Sequence, residues 1–120
     1  MNTLCEVVEH DEIRLVPLHE LQRGDVVRGV DEESVVYAVH ARQAHWHVSL
    51  YRWFGLRVPN PAQYVRYADE WHAVSSLVPT PTVEFCAWMG DLELSEGYSC
   101  IADGVGVAVQ NVHRKRDVFF

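Results

Sequence analysis

Tyr98-Ser99-Cys100-Ile101-Ala102-Asp103-Gly104-Val105-Gly106-Val107-Ala108-Val109-Gln110 reads as two short strands on either side of an Asp-Gly turn. Its valines and small residues suit a pleated sheet, and its apolar positions do not recur at helical spacing. The same grammar extends outward through the chain. Valine occurs 20 times, mostly in short segments bounded by Gly, Pro, Asp or Asn. Further strands are therefore expected at residues 13–16, 25–30, 35–42, 45–54, 56–59, 64–68 and 83–89. Turns fall at Arg23-Gly24-Asp25, Asp31-Glu32-Glu33, Asn60-Pro61, Met89-Gly90-Asp91 and Glu96-Gly97. The expectation is an all-β protein of short strands with at most one or two helical turns, at residues 18–22 and 71–77. Pro79-Thr80-Pro81-Thr82 reads as a stiff linker between a longer N-terminal section and a compact C-terminal one, because proline fixes φ and removes a donor.

At 120 residues the chain has the length of one domain with one core. The expected division is a single domain over residues 1–120, its core at 5–111 and its tail at 112–120. Apolar residues at 48% and charged residues at 22% place it among ordinary globular proteins. No apolar run approaches the roughly 20 residues of a membrane span, and the N-terminus has no basic-then-apolar signal pattern, so the expected location is the cytoplasm. A formal charge of −7 disfavours nucleic acid, whose phosphates need clustered positive charge, and the one basic run, residues 113–116, lies in the tail. Three cysteines, Cys5, Cys86 and Cys100, form no Cys-x-x-Cys pair and suggest neither a disulfide framework nor structural zinc. No cofactor is implied.

A longer C-terminal stretch carries a more specific signal. Asp91-Leu92-Glu93-Leu94-Ser95-Glu96-Gly97-Tyr98, followed by Ala102-Asp103-Gly104-Val105 and Val109-Gln110-Asn111, resembles the last two strands of inteins. Val16-Pro17-Leu18-His19-Glu20-Leu21-Gln22-Arg23-Gly24-Asp25-Val26-Val27 is similar to the segment near that family's N-terminal nucleophile. Gly55-Leu56-Arg57-Val58-Pro59-Asn60-Pro61-Ala62-Gln63-Tyr64 and Glu70-Trp71-His72 resemble its middle blocks, in the right order. Together they cover most of residues 5–111, with no room for a homing-endonuclease insert. The resemblance is to Hint domains, the intein and hedgehog-type autoprocessing family. It implies a flattened all-β horseshoe with pseudo-two-fold symmetry and its two termini close together, with flanking host-protein segments as partners in cis.

Self-processing of that kind begins when a Cys or Ser side chain attacks its own preceding carbonyl, which takes a nucleophile, a proton acceptor and donors for the oxyanion. By resemblance Cys5 is the nucleophile and Asn111 the residue that cyclises at the C-terminal cleavage point. The family's Thr and its His three residues later fall on Pro61 and Tyr64. Its penultimate His falls on Gln110, and the His one strand earlier on Tyr98. Proline offers neither hydroxyl nor N–H, and a phenol with a pKa near 10 is a poor proton shuttle at pH 7. Val112 supplies no nucleophile to accept an acyl chain. The implied activity is a self-cleavage that is weak or lost.

Plainer readings stand beside this one. Cys5 also fits a partly buried cysteine near an N-terminal strand, and Asn111 a turn residue before a polar tail. His45 and His47 share a strand face and would begin a metal site if a third ligand joined them. Trp46, Tyr51, Trp53 and Phe54 suit core and edge packing, and Asp31-Glu32-Glu33 a solvated turn. A His47–cysteine pair of papain-like type would require the thiol at a helix start, whereas Cys86 and Cys100 fall in strands. From a different class comes a non-enzymatic small β-barrel interaction protein, phage-like, whose acidic surface binds a protein partner.

Overall fold

Glu33–Trp53 forms one strand of 21 residues, β4, in the computed structural model, which describes residues 3–113. It pairs antiparallel along most of its length with a second long strand, β8 (Thr82–Glu96), to make a ribbon. Two expected strands, 35–42 and 45–54, are thus one. The apparent break is a bulge between Gln43 and Trp46, where His45 takes a left-handed φ of 55°. Bulges bend a strand without ending it. The turn expected at Met89-Gly90-Asp91 is absent for a related reason. Gly90 stays extended opposite Ala41, and a Cβ on it would lie 2.7 Å from Leu18 Cδ2. That glycine serves close approach rather than chain reversal.

The remaining strands are β1 (Leu4–Glu9), β2 (Glu12–Pro17), β3 (Val26–Arg28), β5 (Leu56–Val58), β6 (Tyr64–Tyr67), β7 (Glu70–Ala73), β9 (Ser99–Ala102), β10 (Val105–Ala108) and β11 (Gln110–Asn111). The sheet order is β11-β8-β4-β3-β1-β9-β10-β6-β7, with β2 on β1 and β5 on β4. Among the described residues only β11–β8 is parallel, so the sheet is mixed, and it does not close into a barrel. The fold is all-β, as expected. Among the described residues helix is confined to a 3-10 turn at Leu18–Glu20 and one turn, α1, at Val74–Leu77. The expected helical stretch at 71–77 begins as strand β7 and turns helical only at Val74. Because β8 lies between β4 and β11, Pro79-Thr80-Pro81 connects elements of one sheet and separates no sections.

Three hairpins turn on two residues that are both left-handed: His10-Asp11, Ala68-Asp69 and Asp103-Gly104. This geometry matches the twist of the flanking strands. The Asp103 side chain also ties the N-terminal strand down, accepting the Leu4 N–H at 3.0 Å. Burial raises the Asp103 carboxyl above its usual range, against the lowering effect of that same bond. The folded state therefore holds this proton more tightly than the unfolded one, and stability falls as pH rises through the carboxylate range. Asp103→Asn keeps the acceptor for Leu4 and tolerates a φ of 51°. Its thermal melting at pH 7 should match or exceed wild type by up to about 0.5 kcal/mol, with a flatter stability–pH curve. A lower melting temperature would show that the charge itself matters.

The core gathers Val7, Val27, Val36, Val65, Leu56 and Leu94 between the ribbon and the shorter strands. Tyr51 and Trp53 pack against it, as expected, whereas Trp46 and Phe54 are exposed. The acidic turn matches expectation at Asp31 and Glu33, which are exposed, and departs from it at Glu32. Glu32 is half-buried and accepts the Tyr98 N–H at 3.2 Å, so it braces the 97–98 turn instead of lying in solvent. No helix among the described residues is long and apolar enough to cross a membrane.

Candidate functional site

A cleft of about 340 Å³ opens between the β4–β8 ribbon and the β9–β10 hairpin. Leu50, Leu56, Trp88 and Leu92 supply apolar wall, the 59–63 turn closes one side, and Cys86, Cys100 and Gln110 also line it. His19 stacks on Trp88 with ring centroids 4.3 Å apart, fixing that wall to the 3-10 turn. Arg57 stands in the cleft with its guanidinium 3.1 Å from Glu84. Glu84 is held below the usual carboxylate range, chiefly by the Thr82 hydroxyl and, against some desolvation, by Arg57 and Arg52.

Cys5 occupies the middle of the N-terminal hairpin, opposite Val16 on β2 and Ala102 on β9, and is 0% exposed. Cys100, in the cleft wall, is its neighbour across the β1–β9 pairing, and that neighbouring thiol together with burial pushes the Cys100 thiol up. The carbonyl that it would attack belongs to Leu4, and this oxygen accepts the Asp103 N–H at 2.8 Å as part of the sheet. The Leu4–Cys5 peptide is thus paired strand backbone on both sides.

Asn111 is 4% exposed. Its Nδ2 donates to the Gly97 carbonyl at 2.7 Å and its Oδ1 accepts the His113 N–H at 2.8 Å. Both ends of the amide are spent on the local backbone, and β8, β4 and β3 separate its strand from that of Cys5 in the sheet order. Gln110 points the other way and lines the cleft, so these consecutive residues serve different surroundings. Tyr98 joins Asn111, Glu32 and His113 around a second depression. Burial, then the nearby Glu32 charge, raises the Tyr98 phenol above its ordinary value. Tyr64 lies on β6 opposite Ala73 and is not part of the cleft wall. Residues 114–116 of the basic run lie outside the described residues.

The pair three residues apart that does face the cleft is Asn60 and Gln63, one position earlier than the pair Pro61 and Tyr64. Gln63 Nε2 donates to the carbonyls of Tyr64, at 3.1 Å, and Ala108, at 2.9 Å. Asn60 Oδ1 accepts the Ala62 N–H at 2.9 Å. Sequence spacing alone fits either register; the sheet pairing of β6 decides between them. His45 and His47 flank the Phe85 ring, and no group of three or more metal-binding side chains occurs among the described residues. Compared with models of protein families the chain matches none, and no curated protein is significantly similar to it.

Proposed function

We propose that this chain is a Hint-type domain that has kept the scaffold and cleft but lost self-cleavage, and that it acts by holding an extended segment of a protein partner in that cleft. The observation that carries the reading is the Leu4–Cys5 peptide. Its sulfur is enclosed against Cys100 and its carbonyl is bonded into the sheet, so neither atom is presented for an acyl shift. The side chains around the cleft agree with this. Asn60 and Gln63 stand at the family's Thr–His spacing, and an amide offers no titratable group for general acid–base work near neutral pH. The apolar wall, with Asn60 and Gln110 at its margin, suits a peptide whose backbone bonds to amides while its side chains pack on Leu and Trp. Three free thiols, two of them adjacent, fit a reducing compartment, and the cytoplasm is where we place it.

Intact-mass spectrometry of the purified chain over a day at neutral pH, with and without reductant, tests the loss of cleavage. The expected result is one unchanged mass for wild type, Cys5→Ala and Asn111→Ala alike. Release of the segment before Cys5 or after Asn111, abolished by the matching substitution, would restore a working self-processing domain. A second assay tests the binding role: crosslinking of a photoreactive group placed at Gln110 should yield protein adducts that substitution of Trp88 reduces. Adducts indifferent to Trp88 would exclude the cleft as their site.

A further inference from the structure

Cys5 and Cys100 sit on adjacent antiparallel strands. Cys5 is registered on Ala102, two residues from Cys100, so the diagonal pair shares one face of the sheet. Both are buried and unbridged, and the Cys5 thiol, then burial, pushes the Cys100 thiol up. Cys100 forms part of the cleft wall, which gives a small oxidant a route to an otherwise enclosed pair. Cys86 also lines the cleft but lies on β8, where its thiol donates to the Trp88 carbonyl at 2.8 Å.

We propose that Cys5 and Cys100 are a peroxide-driven disulfide site, in which oxidation through the cleft staples the N-terminal strand β1 to β9 and consumes the Cys5 sulfur. The bond follows from strand register and the burial of the two thiols together; only the meaning of losing Cys5, the family's nucleophile position, rests on the Hint-type reading. The Cys100 thiolate attacks one oxygen of hydrogen peroxide, the O–O bond breaks, and Cys100 sulfenic acid and hydroxide result. The Cys5 thiolate then attacks that sulfur, forming the S–S bond and expelling a second hydroxide. The two thiol protons complete two waters, so two thiols are oxidised and one peroxide reduced. The neighbouring Cys5 thiol, then burial, keeps the Cys100 thiolate scarce, which makes the first step slow.

Hydrogen peroxide is applied to the full chain and to Cys86→Ser, followed by intact mass, thiol counting under denaturing conditions and peptide mapping. Both proteins should lose the mass of two hydrogens and two free thiols, with Cys5 linked to Cys100, and dithiothreitol should restore them. Oxygen addition to Cys100 with Cys5 still free overturns the proposal, as does a Cys86–Cys100 link or survival of both buried thiols while Cys86 oxidises. Failure of this experiment leaves the cleavage reading untouched, because cleavage removes whole terminal segments.

Discussion

Gly97→Ala is expected to destabilise the protein by about 3 kcal/mol or more, from the sum of a left-handed backbone and an overpacked site. Gly97 has a φ of +79°, a conformation that costs a residue with a Cβ about 1–2 kcal/mol. The added carbon would also collide with Ser34 Oγ and lie 2.8 Å from both Ser34 Cβ and Glu32 Oε2. Neither neighbour can retreat freely. Ser34 is 0% exposed and donates to the Ser99 carbonyl at 2.7 Å, while Glu32 accepts the Tyr98 N–H. Gly24→Ala is the internal control: its φ is +93°, yet a Cβ there meets nothing within 4 Å. Denaturant melts should give the Gly24 variant only the backbone cost, and the difference between the two variants measures the collision. Equal losses would mean that the 97–98 turn relaxes around a methyl group and is not the rigid corner described above.

Much of the fold was legible because sheet grammar is local. Asp103-Gly104 between two short apolar runs marks the β9–β10 hairpin directly, and Arg23-Gly24-Asp25 the turn before β3. The misses share a cause. His10-Asp11 and Ala68-Asp69 adopt the same left-handed pair without a glycine to announce it, so no turn signal marks the bounds of β1 or the strand β7. The bulge at 43–46 and the extended Gly90 looked like strand ends because a glycine or a break in alternation has the same local appearance in a turn and in a long strand. What distinguishes them is the partner strand, here β8 for the bulge and Leu18 for Gly90, and pairing is not encoded within a short window.

The site was legible by residue type more than by position. Cys5, Gln110 and the 60–64 block were marked, but the face each side chain takes depends on register, and a slip of one residue sends it to the other side of the sheet. That single step separates Tyr64 from Gln63 and Asn111 from Gln110. The Cys5–Cys100 contact was beyond sequence spacing altogether, since 95 positions of chain separate two residues that the β1–β9 pairing makes neighbours.

Asn111 offers the second large effect, and one that separates a structural role from a catalytic one. Asn111→Ala removes the donor to the Gly97 carbonyl and the acceptor for the His113 N–H from a site only 4% exposed. Leaving buried partners unsatisfied costs about 1–3 kcal/mol each, discounted for the His113 amide because that residue is exposed, so a total loss of about 2–3 kcal/mol is expected. Asn111→Asp sharpens the test. An ionised carboxylate still accepts from His113 but faces the Gly97 carbonyl with no hydrogen to donate, whereas the protonated acid restores the donor. Its folded-state pKa is therefore raised, and linkage requires that the stability of this variant be greatest at acid pH and decline as pH rises through the carboxylate range. Chemical denaturation of the three proteins across that range checks the sign. A residue kept only for cyclisation would leave both variants as stable as wild type at every pH, whereas a backbone clamp gives the ordered losses stated here with no change in chain mass.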